Sequence, residues 1–301
     1  MELSQKPLTS ANLDEVFSFF KLASPFAQKA WGWDAGRFVD WRWGANSVRH
    51  GANSDWFSEH CHVFRQGDAI RAVSVAESGR EVECIVTPRE DIGAVTETLG
   101  WLTEHHAEAG IDLSFDVSES ARWLKTILGT SGLVEEAVTE VAWEYALGDV
   151  PQDSAVAPGF LIESLGSDRE GDYPGIAECI QSAFNSTHDV HGALLSLEAN
   201  PLFVPELSVI ARSPTGRIAA YCRGTVDRET GVASIDPVCC HPEFQRKGLA
   251  KAVVQQCFRT QRDLGGQFSY IGSAPEPAPG TFLYRSLTPN DMTLYHRWKR
   301  P

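Results

Sequence analysis

Leu249, Val253 and Cys257 recur on one stripe of a helical wheel, and Ala250, Val254 and Phe258 on the next. That spacing predicts an amphipathic helix near 246–263. Gly265 follows where a C-terminal cap belongs. Apolar extended runs predict strands near 159–165, 207–213, 217–226, 232–240, 267–272 and 291–299. Helices are expected near 170–184 and 190–199, with a short one near 280–287. Helices and strands interleave, so a mixed α/β (α+β) sheet is expected.

The first half shows the same order of elements. EHCHVFRQGDAIRAV (59–73) lies beside ELSVIARSPTGRIAAY (206–221); each is a strand, a polar turn with glycine, and a second strand. EVECIVTP (81–88) then matches ASIDPVCCHP (233–242), each an extended run that ends in proline and leads into a helix. A period of half the chain indicates a duplicated domain, because solenoid repeats run to about 20–50 residues. Between the copies, the Pro, Gly and small polar residues of GDVPQDSAVAPG read as a linker. The expected division is a first domain at 1–147, a linker at 148–158 and a second domain at 159–301.

Composition narrows the function. With 301 residues, 43% of them hydrophobic, the chain can build two packed cores. A formal charge of −14 opposes an extended basic surface for nucleic acid or anionic lipid. MELSQKPLTS has no basic region followed by an apolar run, and no later stretch reaches the length of a membrane span, so a cytoplasmic protein is expected. Seven cysteines without a C-x-x-C pair suggest reduced, mostly buried thiols.

Within this acidic chain, HPEFQRKGLAKAVV (241–254) gathers Arg246, Lys247 and Lys251 around Gly248. The first amides of a helix lack internal partners and carry the positive end of its dipole, so a small-residue loop there suits phosphate oxygens. A solvated basic turn before a helix is the plain structural alternative.

The strand, the run Gln245, Arg246, Lys247, Gly248, Leu249, Ala250 and the helix after it resemble the GNAT superfamily, the acyl-CoA-dependent N-acetyltransferases, with the signature [Q/R]-x-x-G-x-[G/A]. The resemblance extends from about Phe160 to the C-terminus. It implies acetyl-CoA as co-substrate, its diphosphate on Gln245 to Lys251, and its pantetheine arm along Val238, Cys239 and Cys240 on a splayed strand. Tandem GNAT-like domains resemble the arrangement of the mycothiol synthase family. Vicinal Cys239 and Cys240 also admit a redox pair, although no base or cation is marked to lower a thiol pKa.

Acyl transfer to an amine needs a group to take the nitrogen's proton and one to protonate the departing thiolate. By resemblance Tyr284, in FLYRSL, is the acid, although APEPAPGTF and SLTP stand where many members carry an asparagine and a Gly-Phe pair. Asp236, in SIDPV, occupies the position where many relatives place an acidic base. A core tyrosine and a turn aspartate are the alternatives. His188, His191 and His241 read as surface or capping residues. His60 with His62, and His105 with His106, lack a third ligand at fitting spacing, so no metal is expected.

After Pro88 the first half reads REDIGAV: the Q-x-x-G-x-A loop is missing, and Glu90 and Asp91 replace basic residues. That copy is expected to be degenerate. Eight of the nine tryptophans lie in it, including four in WGWDAGRFVDWRW, for packing or as an aromatic wall for an acceptor. The expected function is N-acetyl transfer from acetyl-CoA to a primary amine of a small molecule in a direct ternary complex; the alternative is a non-catalytic acyl-CoA-binding or sensing protein. An open sheet edge would allow a homodimer.

Overall fold

The computed structural model describes residues 3–77, 82–109, 112–149, 155–166 and 169–301. The first half contains β1 (Ser4–Pro7), α1 (Leu13–Trp31), α2 (Ala35–Trp43), α3 (Ala45–His50), α4 (Trp56–His60), β2 (Cys61–Gln66) and β3 (Ala69–Ala76). It continues with β4 (Val82–Val86), α5 (Ile92–Ala109), β5 (Ser114–Ser118), α6 (Arg122–Thr130) and β6 (Val134–Ala146). The second half comprises β7 (Leu161–Ser164), α7 (Tyr173–Phe184), α8 (Val190–Leu197), β8 (Ser208–Arg212) and β9 (Ile218–Val226). It ends with β10 (Val232–Cys240), α9 (Leu249–Asp263), β11 (Phe268–Ser273), α10 (Pro279–Ser286) and β12 (Asp291–Lys299).

Among the described residues the strands form one sheet in the order β1-β2-β3-β4-β5-β12-β6-β11-β10-β9-β8-β7. The halves therefore exchange strands at the centre. β12 pairs antiparallel with β5 and β6, and β6 pairs antiparallel with β11. Trp298 of β12 accordingly packs in the core of the first half, while Val141, Trp143 and Tyr145 of β6 join that of the second.

The strand and helix positions expected in the second half agree with the structure within a few residues. The main difference is the start of α9, at Leu249 and not 246. Arg246 and Gly248 have φ of +65° and +78°, left-handed values that a right-handed helix cannot include. At its other end Gly265, with φ of +101°, turns the chain so that Gly266 N–H donates to the Gln261 carbonyl (2.8 Å). Leu249, Val253, Val254, Cys257 and Phe258 are all buried against the sheet.

Two features bring the first half against the second. Ser24, on α1, accepts from the Ala35 N–H (2.8 Å) and so fixes where α2 begins. A Cβ on Gly36 would lie 2.2 Å from Ser234 Oγ and 2.4 Å from Thr225 Oγ1, so only glycine lets α2 approach β9 and β10 this closely. All seven cysteines are unpaired, and six are buried.

Candidate active site

β10 pairs in parallel with β11 through Val232, Ala233 and Ser234 only. Its ladder with β9 is interrupted between Ile235 and Val238, around Asp236 and Pro237. Pro237 has no N–H to give, and the irregularity turns the strand away from β11. Beyond it Val238, Cys239 and Cys240 pair with β9, and no ladder to β11 is formed. The sheet thus opens at its C-terminal end between β10 and β11.

Val238 and Cys240 are half-buried and lean on the main core of the second half, while Cys239 is buried on the opposite face. Cys239 Sγ lies 3.7 Å from Cys179 Sγ; this contact, followed by burial, pushes the Cys239 thiol up. Burial pushes Cys240 up to about 11. Neither group has the lowered pKa of an activated thiol, and the two side chains lie on opposite faces of the strand.

From Cys240 a tight turn (Pro242–Phe244) leads to the loop before α9. Gln245, Arg246 and Gly248 are exposed, and Leu249 is buried as the first core residue of the helix, so only its backbone faces the loop. The three basic residues are not equivalent. Lys247 Nζ lies over the rings of Phe160 (5.3 Å) and Phe244 (5.1 Å), and Lys251 Nζ donates to the Ser286 carbonyl (2.7 Å). Arg246 forms no ion pair among the described residues.

The end of the expected linker reaches this loop, although residues 150–154 lie outside the described residues. Ala157 N–H donates to the Lys247 carbonyl (3.3 Å), and a Cβ on Gly248 would sit 2.8 Å from the Ala155 carbonyl oxygen. A free helix N-terminus, small residues and an exposed cation together fit an anionic diphosphate.

In the first half the equivalent helix start, at α5, is closed by its own side chain. Asp91 accepts from the Ala94 N–H (3.0 Å) and pairs with Arg71. An anion approaching there meets a carboxylate.

Next to the opening of the sheet is a cavity of about 400 Å³. Asp236, Ser234, Tyr270 and Gly272 line one side, from β10 and β11, and residues of α1 to α3 form the other. Asp236 is exposed to this space and has no hydrogen bond or ion pair among the described residues. Burial of its surroundings, then the charge of Asp40, raise its carboxyl to about 6, against Arg223 and Arg37.

Tyr284 lies on α10, almost fully buried, its ring centroid 6.4 Å from that of Trp143. Its carbonyl accepts from the Tyr145 hydroxyl (2.9 Å), which anchors the helix under the sheet. Burial, then the charges of Asp236, Cys222 and Cys239, raise its phenol above the ordinary tyrosine value, so it is protonated at neutral pH. Asp236 and Tyr284, far apart in sequence, lie within electrostatic reach of each other. The side walls of the cavity are a set that sequence reasoning missed: Gln28, Asp34, Arg37, Asp40, Glu77 and Glu140. Asp34, Arg37 and Asp40 alone share a segment, WDAGRFVDWRW, which stands out for its tryptophans more than for the two aspartates between them.

The histidines stand apart from this centre. His188 contacts Arg49, and His241 Nδ1 accepts from the Glu243 N–H (3.3 Å), a capping role. His60 stacks on Trp56, His62 contacts Trp101 and His105, and His106 pairs with Glu83. Among the described residues no group of three or more His, Cys, Asp or Glu side chains is placed to hold a metal ion, and no helix is long and apolar enough to cross a membrane.

Residues 176–284 match the model of the acetyltransferase (GNAT) family. A GCN5-related N-acetyltransferase from Sphaerobacter thermophilus shares the fold at a TM-score of 0.62 and 16% identity, over 99% of this chain and 96% of its own. A tandem GNAT protein from the clavulanic acid biosynthesis pathway gives 0.63 and 15%, over 99% and 98%. A conserved protein of unknown function from Bacteroides thetaiotaomicron gives 0.59 and 13%, over 99% and 100%. No curated protein sequence matches. The fold is that of a tandem GNAT protein. Residues 176–284 are thus similar to the GNAT acetyltransferase family, within a chain whose fold as a whole is shared with tandem GNAT proteins.

Proposed function

We propose that the protein is an N-acetyltransferase that moves the acetyl group of acetyl-CoA to a primary amine of a small molecule, in a ternary complex, at one site in the second half. The reading takes residues 1–147 as a degenerate copy, 148–158 as a linker and 159–301 as the catalytic domain. The observation that carries it is the opening between β10 and β11, with Asp236 and the cavity beside it and the anion-suited loop at the end of the same strand.

In this reading Gln245 to Lys251 hold the diphosphate, mainly through backbone amides of Gly248, Leu249 and Ala250, with Arg246 as the free cation. The unpaired edge of Val238, Cys239 and Cys240 offers its backbone to the pantetheine arm. Asp236 accepts a proton from the incoming ammonium, directly or through water, and leaves a neutral amine to attack the thioester carbonyl carbon. As the carbon–nitrogen bond forms and the carbon–sulfur bond breaks, the Tyr284 hydroxyl gives its proton to the departing sulfur, and the second proton of the attacking nitrogen, released as the amide forms, restores the phenol through solvent. The raised pKa of Tyr284 keeps that proton in place until thiolate charge develops.

Replacing Tyr284 with Phe removes one oxygen from a buried site and leaves the loop untouched. The expected result is a fall in kcat of about 10²-fold or more, with acetyl-CoA affinity by calorimetry within about twofold of the unmodified chain. A protein that only senses acyl-CoA would show no turnover to lose, and unchanged turnover in the variant would remove Tyr284 as the acid.

A further inference from the structure

The cavity beside Asp236 is built largely by the half of the chain that lacks the phosphate loop. α1 contributes Gln28, α2 contributes Arg37, Asp40 and Trp41, and Asp34 stands at the start of α2. Glu77 and Glu140 complete that wall from the end of β3 and from β6. With Asp236 opposite, five carboxylates face one guanidinium, and a second guanidinium, Arg223, stands behind Asp40.

The pairing inside the wall is incomplete. Arg37 donates to both oxygens of Glu77 (2.8 and 2.7 Å) and also reaches Glu140 Oε2 at 3.2 Å, so one cation serves two acids. Arg223 is taken by Asp40. Asp34 accepts from the Arg37 N–H (2.8 Å) as a helix cap and has no cation partner among the described residues. Asp236 has none either. Five acids against two guanidiniums leave three negative charges in excess when all are ionised. Burial raises the pKa of Asp34, Asp40 and Glu140, as expected of carboxylates held without enough positive charge.

A separate feature also points to a ligand. The side chain of Gln28 is 95% buried (5% exposed) and lines the cavity, yet its amide forms no hydrogen bond among the described residues. Its amide is not sealed off by protein atoms, and the open space that Gln28 lines is the cavity. A buried amide is ordinarily satisfied. Here a donor and an acceptor are presented to whatever occupies about 400 Å³, room for about a dozen waters or one small molecule.

We infer that the acceptor is a small polycation, an amine with a second positively charged group: its reacting nitrogen lies at Asp236, and its distal cation is held by Asp34 beside Gln28 and the acidic wall of the first half. The inference rests on the amine-transfer reading for the role of Asp236. It gives the degenerate copy a function, as the acceptor-binding wall of the other half's active site. A monoamine would leave the distal acids unmatched, and an amino acid would set its carboxylate against them.

The test separates binding from transfer. Calorimetry with the full chain and CoA would compare 1,4-diaminobutane, butylamine and 4-aminobutanoate, and CoA release would then be followed with acetyl-CoA and the same three amines. The diamine is expected to bind about tenfold or more tighter than butylamine, as a charge-assisted contact would give, and 4-aminobutanoate weakest. Asp34→Asn, which keeps a good helix cap, should cut that preference several-fold, and Gln28→Leu should weaken the diamine.

Diamine binding that is selective and sensitive to Asp34, without CoA release, would uphold the cavity's specificity and defeat the transfer reading. CoA release at equal efficiency for all three amines would uphold transfer and overturn the polycation. Equal or absent binding of the three would also overturn it, as would a preference that survives Asp34→Asn in a folded protein.

Discussion

At the scale of single residues the proposed mechanism depends on Asp236, whose carboxyl is raised to about 6 by burial and by Asp40. A base must be ionised to act, and a raised pKa moves the loss of that form toward neutrality. Activity should therefore be full above the folded-state value and fall as pH drops through about 6. The measurement is log kcat/KM against pH with a saturating supply of acetyl-CoA. A profile flat down to about pH 4.5, near the ordinary range of a carboxylate, would sink Asp236 as the base. Asp236→Asn is expected to lower kcat/KM by about 10²-fold or more and to abolish that acid limb. Residual activity with the same acid limb would assign the titration to another group, of which Asp40 is the nearest in charge.

At the scale of elements, much of the second half was legible, because α9 and the strands around it obey simple periods. The loop was legible through its residue types, and the left-handed turn at Arg246 was not, since arginine seldom adopts that conformation. Asp236 and Tyr284 could be singled out by position in the motif order, whereas the acidic wall could not. Asp34, Asp40, Glu77 and Glu140 are scattered over more than a hundred positions: α2 packing on β10 through Gly36 brings the two aspartates to Asp236, and the end of β3 and the pairing of β6 with β11 bring the two glutamates. The loop carries its own prediction. Gly248→Ala should cost about 1–2 kcal/mol of stability for a left-handed residue with a side chain, with further loss from the contact with Ala155. Gly248→Glu should in addition abolish acetyl-CoA binding, because it puts a carboxylate where the diphosphate is expected. The pair separates strain from charge: calorimetry that finds acetyl-CoA bound equally well by the Glu variant would remove this loop as the phosphate site.

On the scale of the whole molecule, the duplicated pattern suggested two bodies joined by a linker, but the sheet is continuous, with β6 and β12 exchanged across its centre. No local period could disclose this, since which strand lies beside β5 is decided by pairing such as Tyr295 with Ser118, 177 positions apart, not by the residues of either strand. The exchange has an energetic consequence. Trp298, near the end of the chain, fills the first half's core, Tyr295 donates to the Gln28 carbonyl on α1, and Tyr145 of β6 fills the second core under α10. Each core is therefore incomplete without a strand from the other half, so the two should unfold together. Denaturant titration is expected to show a single transition by tryptophan fluorescence and far-UV circular dichroism alike. Trp298→Ala should lower the stability of that one transition by about 3–5 kcal/mol, although the residue is remote from the second half's core. Two resolved transitions, with only the first displaced by Trp298→Ala, would show that the halves are thermodynamically separate despite the shared sheet. A single displaced transition would mean that the acceptor wall and the catalytic strand are held in one cooperative unit, which is what a site assembled from both halves requires.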